Sequence, residues 1–187
     1  MPDQMISPVV FLPGTRIYAR PTEKSDAQRF QRWMNDPVVR QGLGTYLPLT
    51  EKTELEFIEG LGKQQDAIHL STVLKDGDRH IGGMGLMQIR WRDRTALFGI
   101  HIGEEECRGK GYGTEATQLM LSYAFETLNL NRVELGVYDF NKQAIHVYEK
   151  AGFIREGIKR QDKFVNGRYA DALIYGILAV MCITSGY

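Results

Sequence analysis

The sequence predicts a mixed α/β fold: a single domain over residues 1–187, with a central, mostly antiparallel sheet of seven strands and about four flanking helices. Three observations carry this prediction. Stretches of period-two alternation and stretches of helical spacing are mixed without strict alternation, which disfavours a doubly wound parallel sheet. Strand-like stretches follow one another between residues 67 and 102 across short turns, as an antiparallel run requires. At 187 residues and 43% apolar content, the chain can bury one proper core and is short for two.

The elements follow in order. Residues 1–14 read as an arm ending at Pro13-Gly14. "TRIYAR" (15–20) alternates Ile17 and Ala19 with polar neighbours, a first short strand. "EKSDAQRFQRWMND" (23–36) sets Ala27, Phe30, Trp33 and Met34 at helical spacing, and Pro37 is expected to close that helix. "TEKTELEFIEGL" (50–61) is a second helix with Leu55, Ile58 and Leu61 as its apolar stripe and Thr53-x-x-Glu56 as a capping box. "AIHLSTVLK" (67–75) and "RHIGGMGLMQI" (79–89) flank Asp76-Gly77-Asp78, a hairpin turn. "TALFGIHI" (95–102) alternates Ala96, Phe98, Ile100 and Ile102 with Leu97, Gly99 and His101. Past a glycine-rich loop, Ala116, Leu119, Met120, Tyr123 and Ala124 mark an amphipathic helix. "RVELGVY" (132–138) is a strand, and "KQAIHVYEKAG" (142–152) is a helix with Gly152 as its left-handed cap. Two strands joined around Asn166-Gly167 complete the sheet and leave residues 179–187 as a tail.

Composition narrows the function classes. Lys plus Arg and Asp plus Glu balance at 23 each, against the clustered basic excess of a nucleic-acid binder. The two cysteines, Cys107 and Cys182, form neither a disulfide framework nor a metal-ligand spacing. No apolar run reaches the roughly 18 residues of a membrane span. The start, "MPDQMISPVVFLPG", has no signal-peptide pattern, so the expectation is a soluble, cytoplasmic protein.

The chemistry concentrates in "CRGKGYGTEA" (107–116), where Gly109, Gly111 and Gly113 precede a helix. Bare backbone N–H groups followed by the positive end of a helix form a nest for an anion, above all a phosphate. The spacing does not fit a Walker loop, and Thr114 stands where a dinucleotide fingerprint needs its third glycine. Arg/Gln-x-x-Gly-x-Gly/Ala fits, with Arg108, Gly111 and Gly113. Without a ligand, the same glycines would serve a tight turn and close helix packing.

"CRGKGYGTEATQLMLSYAF", "VYDFNKQAIHVYEKAGF" and "NGRYADALIYGIL" together resemble the GNAT superfamily of acetyl-CoA-dependent N-acetyltransferases. More narrowly, they resemble its branch of ribosomal-protein alanine N-acetyltransferases (RimJ/RimL-like) and their spermidine-acetylating relatives. The resemblance covers residues 14–178 and includes "RFQRWMNDPVV". It implies a GNAT fold, with the sheet splayed around acetyl-CoA. It implies that the amides of Arg108, Gly109, Lys110, Gly111, Tyr112 and Gly113, with Thr114, hold the pyrophosphate of coenzyme A. The edge of "FGIHI", at Ile100 and Ile102, would pair with the pantetheine arm near its divergence from "RVELGVY".

Asn141 matches a cofactor-contacting asparagine and is also a good helix N-cap. Tyr148 matches a tyrosine that protonates the departing thiolate; otherwise it belongs to the stripe Ala144, Ile145, Val147 and Ala151. His101 is a candidate base or water relay, or a packed histidine. Glu104-Glu105-Glu106 is expected to face solvent, and Glu51, Glu54 and Glu56 stand on a wall of the family's acceptor site. The implied reaction is direct acetyl transfer from acetyl-CoA to a primary amine, without an acyl-enzyme. The acceptor ranks as a peptide N-terminus, then a polyamine, then another small amine. A homodimer is an open possibility, and a non-catalytic acyl-CoA-binding module is the alternative from another class.

Overall fold

A computed structural model describes residues 8–180. Cys182 and most of the expected tail, like the first half of the N-terminal arm, lie outside the described residues. One sheet holds eight strands: β1 (Leu12–Pro13), β2 (Ile17–Pro21), β3 (Ile68–Leu74), β4 (Arg79–Arg90), β5 (Thr95–Ile102), β6 (Arg132–Tyr138), β7 (Ile154–Val165) and β8 (Arg168–Leu178). Their spatial order is β1-β2-β3-β4-β5-β6-β8-β7. Every neighbouring pair is antiparallel except β5 and β6, which run parallel. The strand beyond the seven expected is the two-residue β1, folded back from the arm.

Among the described residues, five α-helices flank the sheet: α1 (Ala27–Asn35), α2 (Pro37–Gly42), α3 (Glu51–Leu61), α4 (Tyr112–Ser122) and α5 (Lys142–Lys150). Pro37 closes α1, as its φ constraint requires, but it also opens α2 at the first helical position. Asp36 caps this short helix, accepting from the Val38 N–H at 2.7 Å. The capping box expected at Thr53 is not formed. Helix α3 starts earlier, and Thr50 is its cap, accepting from the Thr53 N–H at 3.1 Å. The hairpin at Asn166-Gly167 has φ of 51° and 81°, the doubly left-handed backbone of a tight two-residue turn.

Helices α4 and α5 cover one face. Ala116, Met120 and Ala124 lie fully buried there against Ile17, Ile81, Phe98 and Val133 of the sheet. Helices α1, α2 and α3 cover the other through a smaller cluster of Ala27, Phe30, Trp33, Val39 and Ile58. A buried polar network fastens α1 to the sheet. Arg20 of β2 donates twice to Asp26 at 2.7 Å, the Ser71 hydroxyl and the Glu23 N–H donate at 2.9 Å, and His80 Nδ1 stands 3.0 Å away. A second clamp joins the chain start to α4, where Glu115 Oε1 accepts from the N–H groups of Thr15, Arg16 and Ile17. Burial pushes the Glu115 carboxyl up, but these donors and the Arg16 guanidinium outweigh it and hold it below the usual carboxylate range.

Candidate active site

The parallel pairing of β5 with β6 lasts only from Thr95–Arg132 to Leu97–Glu134. Beyond that point β5 stays paired with β4, through Ile100–Met84 and Ile102–Gly82. Strand β6 stays paired with β8, through Leu135–Tyr175 to Tyr138–Ala172. The two strands therefore diverge, each turning an unpaired backbone edge toward the gap. Such edges are hydrogen-bonding ribbons waiting for a partner. A cleft of about 320 Å³ occupies the wedge, with Ile100, His101 and Ile102 on one side and Asn141, Val147 and Tyr148 on the other.

The glycine loop forms one end of the cleft. Gly109 and Gly111 have φ of +72° and +84°, left-handed values that a side chain resists. Helix α4 begins at Tyr112, and no side chain caps it among the described residues. Helix geometry leaves its first amides, those of Tyr112, Gly113 and Thr114, without intrahelical acceptors. Gly113 has ordinary helical backbone, and an added Cβ would meet only Ile102 and Val147 at 3.9 and 4.0 Å. The protein alone would tolerate a methyl group there, so the bare surface suits a ligand that lies against it.

Most of the sequence-predicted residues converge on this wedge. Ile100, His101, Ile102, Arg108, Gly109, Asn141 and Tyr148 line it, and Lys110, Gly111, Tyr112, Gly113 and Thr114 continue the loop into α4. The groups of Arg108 are engaged within the protein. Its N–H donates to Glu105 O at 3.0 Å, and its guanidinium donates to Ile102 O and Gly103 O at 3.1 and 2.6 Å. Asn141 caps α5, its Oδ1 accepting from the Ala144 N–H at 3.2 Å, which leaves its Nδ2 free to donate.

Arg16 is a loop residue that sequence reasoning missed. It donates to Lys110 O at 2.9 Å and to Glu115 at 3.0 Å, and its guanidinium lies 4.8 Å from the Tyr112 ring centre. It is nearly a hundred residues upstream of the loop, and no spacing rule connects the two. Glu104 departs from expectation. It accepts from Arg32 and, at 3.1 Å, from the Trp33 indole, so the first member of the acidic run ties α1 to the loop instead of facing water. Glu106 pairs with Arg79, and Glu105 is exposed.

Burial shapes both candidate acid–base groups. The Tyr148 phenol is only 7% exposed, packs near Phe98 and Phe153, and is pushed up to about 12 by desolvation. The His101 imidazole is pushed down to about 3, first by burial and then by its neighbour His80. Phe30 and Trp33 face its ring edge-on, and its Nε2 is buried without a partner among the described residues.

A second cavity of about 480 Å³ opens on the opposite side of β5, under α1 and α3. It shares Leu43, Ile100 and His101 with the first, so the two meet at the middle of the wedge. Lys163 of the β7–β8 hairpin donates to the Leu43 carbonyl and lies 4.7 Å from the Tyr138 ring, pinning the shared wall.

A family model described as an acetyltransferase (GNAT) domain matches residues 16–154. The probable N-acetyltransferase YjcK of Bacillus subtilis is 35% identical over 176 residues, covering 89% of this chain and 96% of that protein. The spermidine N(1)-acetyltransferase of Vibrio cholerae is 38% identical over 100 residues, covering 53% of this chain and 57% of that one. The crystal structure of spermidine N-acetyltransferase from Vibrio cholerae, in complex with CoA and spermine, superimposes with a TM-score of 0.84. That match is at 26% identity and covers 90% of this chain and 98% of that one.

Proposed function

The chain belongs to the GNAT acetyltransferase family and is an acetyl-CoA-dependent N-acetyltransferase, and from that premise we propose that the β5–β6 wedge holds the cofactor while the cavity under α1 and α3 receives the amine. One observation carries this assignment: β5 and β6 part after three pairs, beside a loop whose Gly109 and Gly111 are left-handed. Bound acetyl-CoA supplies an acetyl group already activated as a thioester.

The chain's own residues do the rest. The N–H groups from Gly109 to Thr114 receive the pyrophosphate at the positive end of α4. Lys110 and Arg16 add positive charge beside it. The open edge of β5 at Ile100 and Ile102 takes the pantetheine amides, and Asn141 Nδ2 donates to the same arm. The wedge thereby fixes the donor against an amine arriving from the other side, which is the main rate advantage of a direct transfer.

Tyr148 holds its proton at any working pH, because burial disfavours the phenolate. Its Oη is the donor for a sulfur whose thiol has an ordinary pKa of about 8.5. Tyr148→Phe is expected to lower kcat roughly 10²-fold with coenzyme A affinity unchanged. Steady-state rates and calorimetry on one preparation check this; equal turnover would remove the phenol from the mechanism. His101 is held neutral at the junction of the two cavities, so it offers a lone pair rather than a charge.

The acceptor is a primary amine, and within the family we place the chain with the RimJ/RimL-like branch, whose acceptor is an N-terminal α-amine. An α-amine of pKa about 7.7–8.0 loses its proton at neutral pH far more cheaply than a lysine-like amine of about 10.4. Homodimer formation belongs to the same proposal. Ile158, Phe164 and Tyr169 lie exposed on the β7–β8 hairpin at the sheet edge, and sedimentation tests it.

Thermal unfolding with acetyl-CoA, coenzyme A, NAD or ATP tests the cofactor site. A ligand at about 100 times its Kd adds about 2.7 kcal/mol, or roughly 5–10 °C. A shift with both coenzyme A species and with neither nucleotide is expected. A shift with NAD or ATP alone would sink the assignment.

A further inference from the structure

Glu54, on α3, is the one formally charged side chain lining the second cavity. It is 7% exposed, and among the described residues its carboxylate has no hydrogen-bond or ion-pair partner. The other buried carboxylate, Asp26, is partnered by Arg20, and the half-buried Glu104 is partnered by Arg32. A carboxylate in an apolar cavity without a protein partner is costly, and only the cavity's own solvent space is open to its oxygens. Around it the walls are apolar, with Phe30, Met34, Phe57, Ile58, Met84 and Met87. Burial pushes the imidazoles of His69 and His101 down, so both are neutral at pH 7.

A cavity with one carboxylate and no second charge complements a guest with one ammonium. A polyamine would have to leave its further cations against hydrocarbon. Resting on the reading of this cavity as the amine site, we propose that the acceptor carries a single ammonium on an apolar body, and that Glu54 receives this ammonium and takes its proton.

In that step R–NH3⁺ and the Glu54 carboxylate become R–NH2 and the carboxylic acid. One N–H bond breaks, one O–H bond forms, and the freed nitrogen lone pair is the nucleophile for the acetyl group. Within apolar walls the neutral pair is favoured over the ion pair, since the transfer removes two charges from a poor solvent for charge. Burial already pushes the Glu54 carboxyl up, which acts in the same direction. Glu54 thus answers, from the acceptor side, the need for a base that His101, made weakly basic by burial, does not meet.

Two sources share this chemistry: a small arylalkylamine, and a peptide whose first residue has a bulky apolar side chain. Initial rates of coenzyme A release with phenethylamine, a peptide beginning with phenylalanine, and spermidine distinguish them. The rates are measured for the unmodified protein, Glu54→Gln and Glu54→Asp, with coenzyme A affinity measured alongside. The better of the two apolar amines is expected to exceed spermidine by about tenfold or more in kcat/KM, and that winner names the source. Glu54→Gln is expected to lose roughly 10²-fold, and Glu54→Asp to recover part of it, with coenzyme A affinity unchanged. The unfolding midpoint of Glu54→Gln should stay level or rise, because an unpaired buried charge is gone; a structural carboxylate would instead lower it.

Preference for spermidine, or an undiminished Glu54→Gln, overturns the inference. So does the absence of turnover with all three amines while coenzyme A still binds. Failure of the unmodified protein to bind coenzyme A would overturn the cofactor reading, and this inference with it.

Discussion

Replacing Gly111 with valine is expected to abolish coenzyme A binding while leaving the protein folded. Gly111 has φ of +84°, where a β-branched residue is strained by about 1–3 kcal/mol. An added Cβ would also stand 3.2 Å from the Arg16 guanidinium, tighter than an ordinary contact. Arg16 is half exposed and can move, so the fold survives. The loop does not survive unchanged, because relieving the strain turns the peptide planes on either side of Gly111 and takes their N–H groups out of the nest. The expected loss is about 10³-fold in affinity, equivalent to about 4 kcal/mol. Calorimetry reads it directly, and a far-ultraviolet spectrum verifies the fold. Retention of affinity within about threefold would mean that the pyrophosphate is held elsewhere.

Replacing Asp26 with alanine is expected to give the largest stability loss of any single change at the sheet. The Asp26 carboxylate is 1% exposed and takes hydrogen bonds from Arg20, Ser71 and the Glu23 N–H, with His80 at ion-pair distance. Removing it leaves the Arg20 guanidinium, the buried Ser71 hydroxyl and the Glu23 N–H without this acceptor. Breaking such a pair from one side costs about 3–5 kcal/mol, roughly 6–20 °C in unfolding midpoint for a chain of this length.

The same group sets a pH dependence. Burial pushes the Asp26 carboxyl up, but Arg20, His80 and the Glu23 N–H outweigh burial and hold it far below the usual carboxylate range. Its folded pKa is depressed, so its contribution is fully present above about pH 4 and fades as the pH falls further. Urea titrations between about pH 2 and 7 should show the difference between wild type and Asp26→Ala shrinking toward the acid end. A constant difference would mean that packing, not charge, accounts for the loss.

Legibility in the sequence followed how local each signal was. The glycine loop, the Asn141 cap, the left-handed Gly152 at φ +97° and the Asn166-Gly167 turn depend on neighbours a few residues away, and all are present as read. Helix α2 was missed because a proline was taken only as a stop, although Asp-Pro is also a capped start. Strand β1 has two residues, too few for any period to register. The role of Glu104 depends on Arg32 and Trp33, more than seventy residues upstream, and no pattern in the acidic run itself distinguishes it from Glu105. Glu54 carried the same handicap. Its neighbours Glu51 and Glu56 are exposed, and only the packing of α3 against α1 and the sheet turns Glu54 inward.

The wall at Leu43, pinned by Lys163 and common to both cavities, bears on the order of events in turnover. On the proposed assignment each substrate has its own doorway, one between β5 and β6 and the other under α1 and α3. A carrier that shuttled the acetyl group through a modified enzyme could empty one chamber before filling the next, and its double-reciprocal plots would be parallel lines. Two chambers that meet at Leu43, Ile100 and His101 have room for both substrates at once. Intersecting lines are then the expected result, and parallel lines would mean that the acetyl group passes through a modified enzyme.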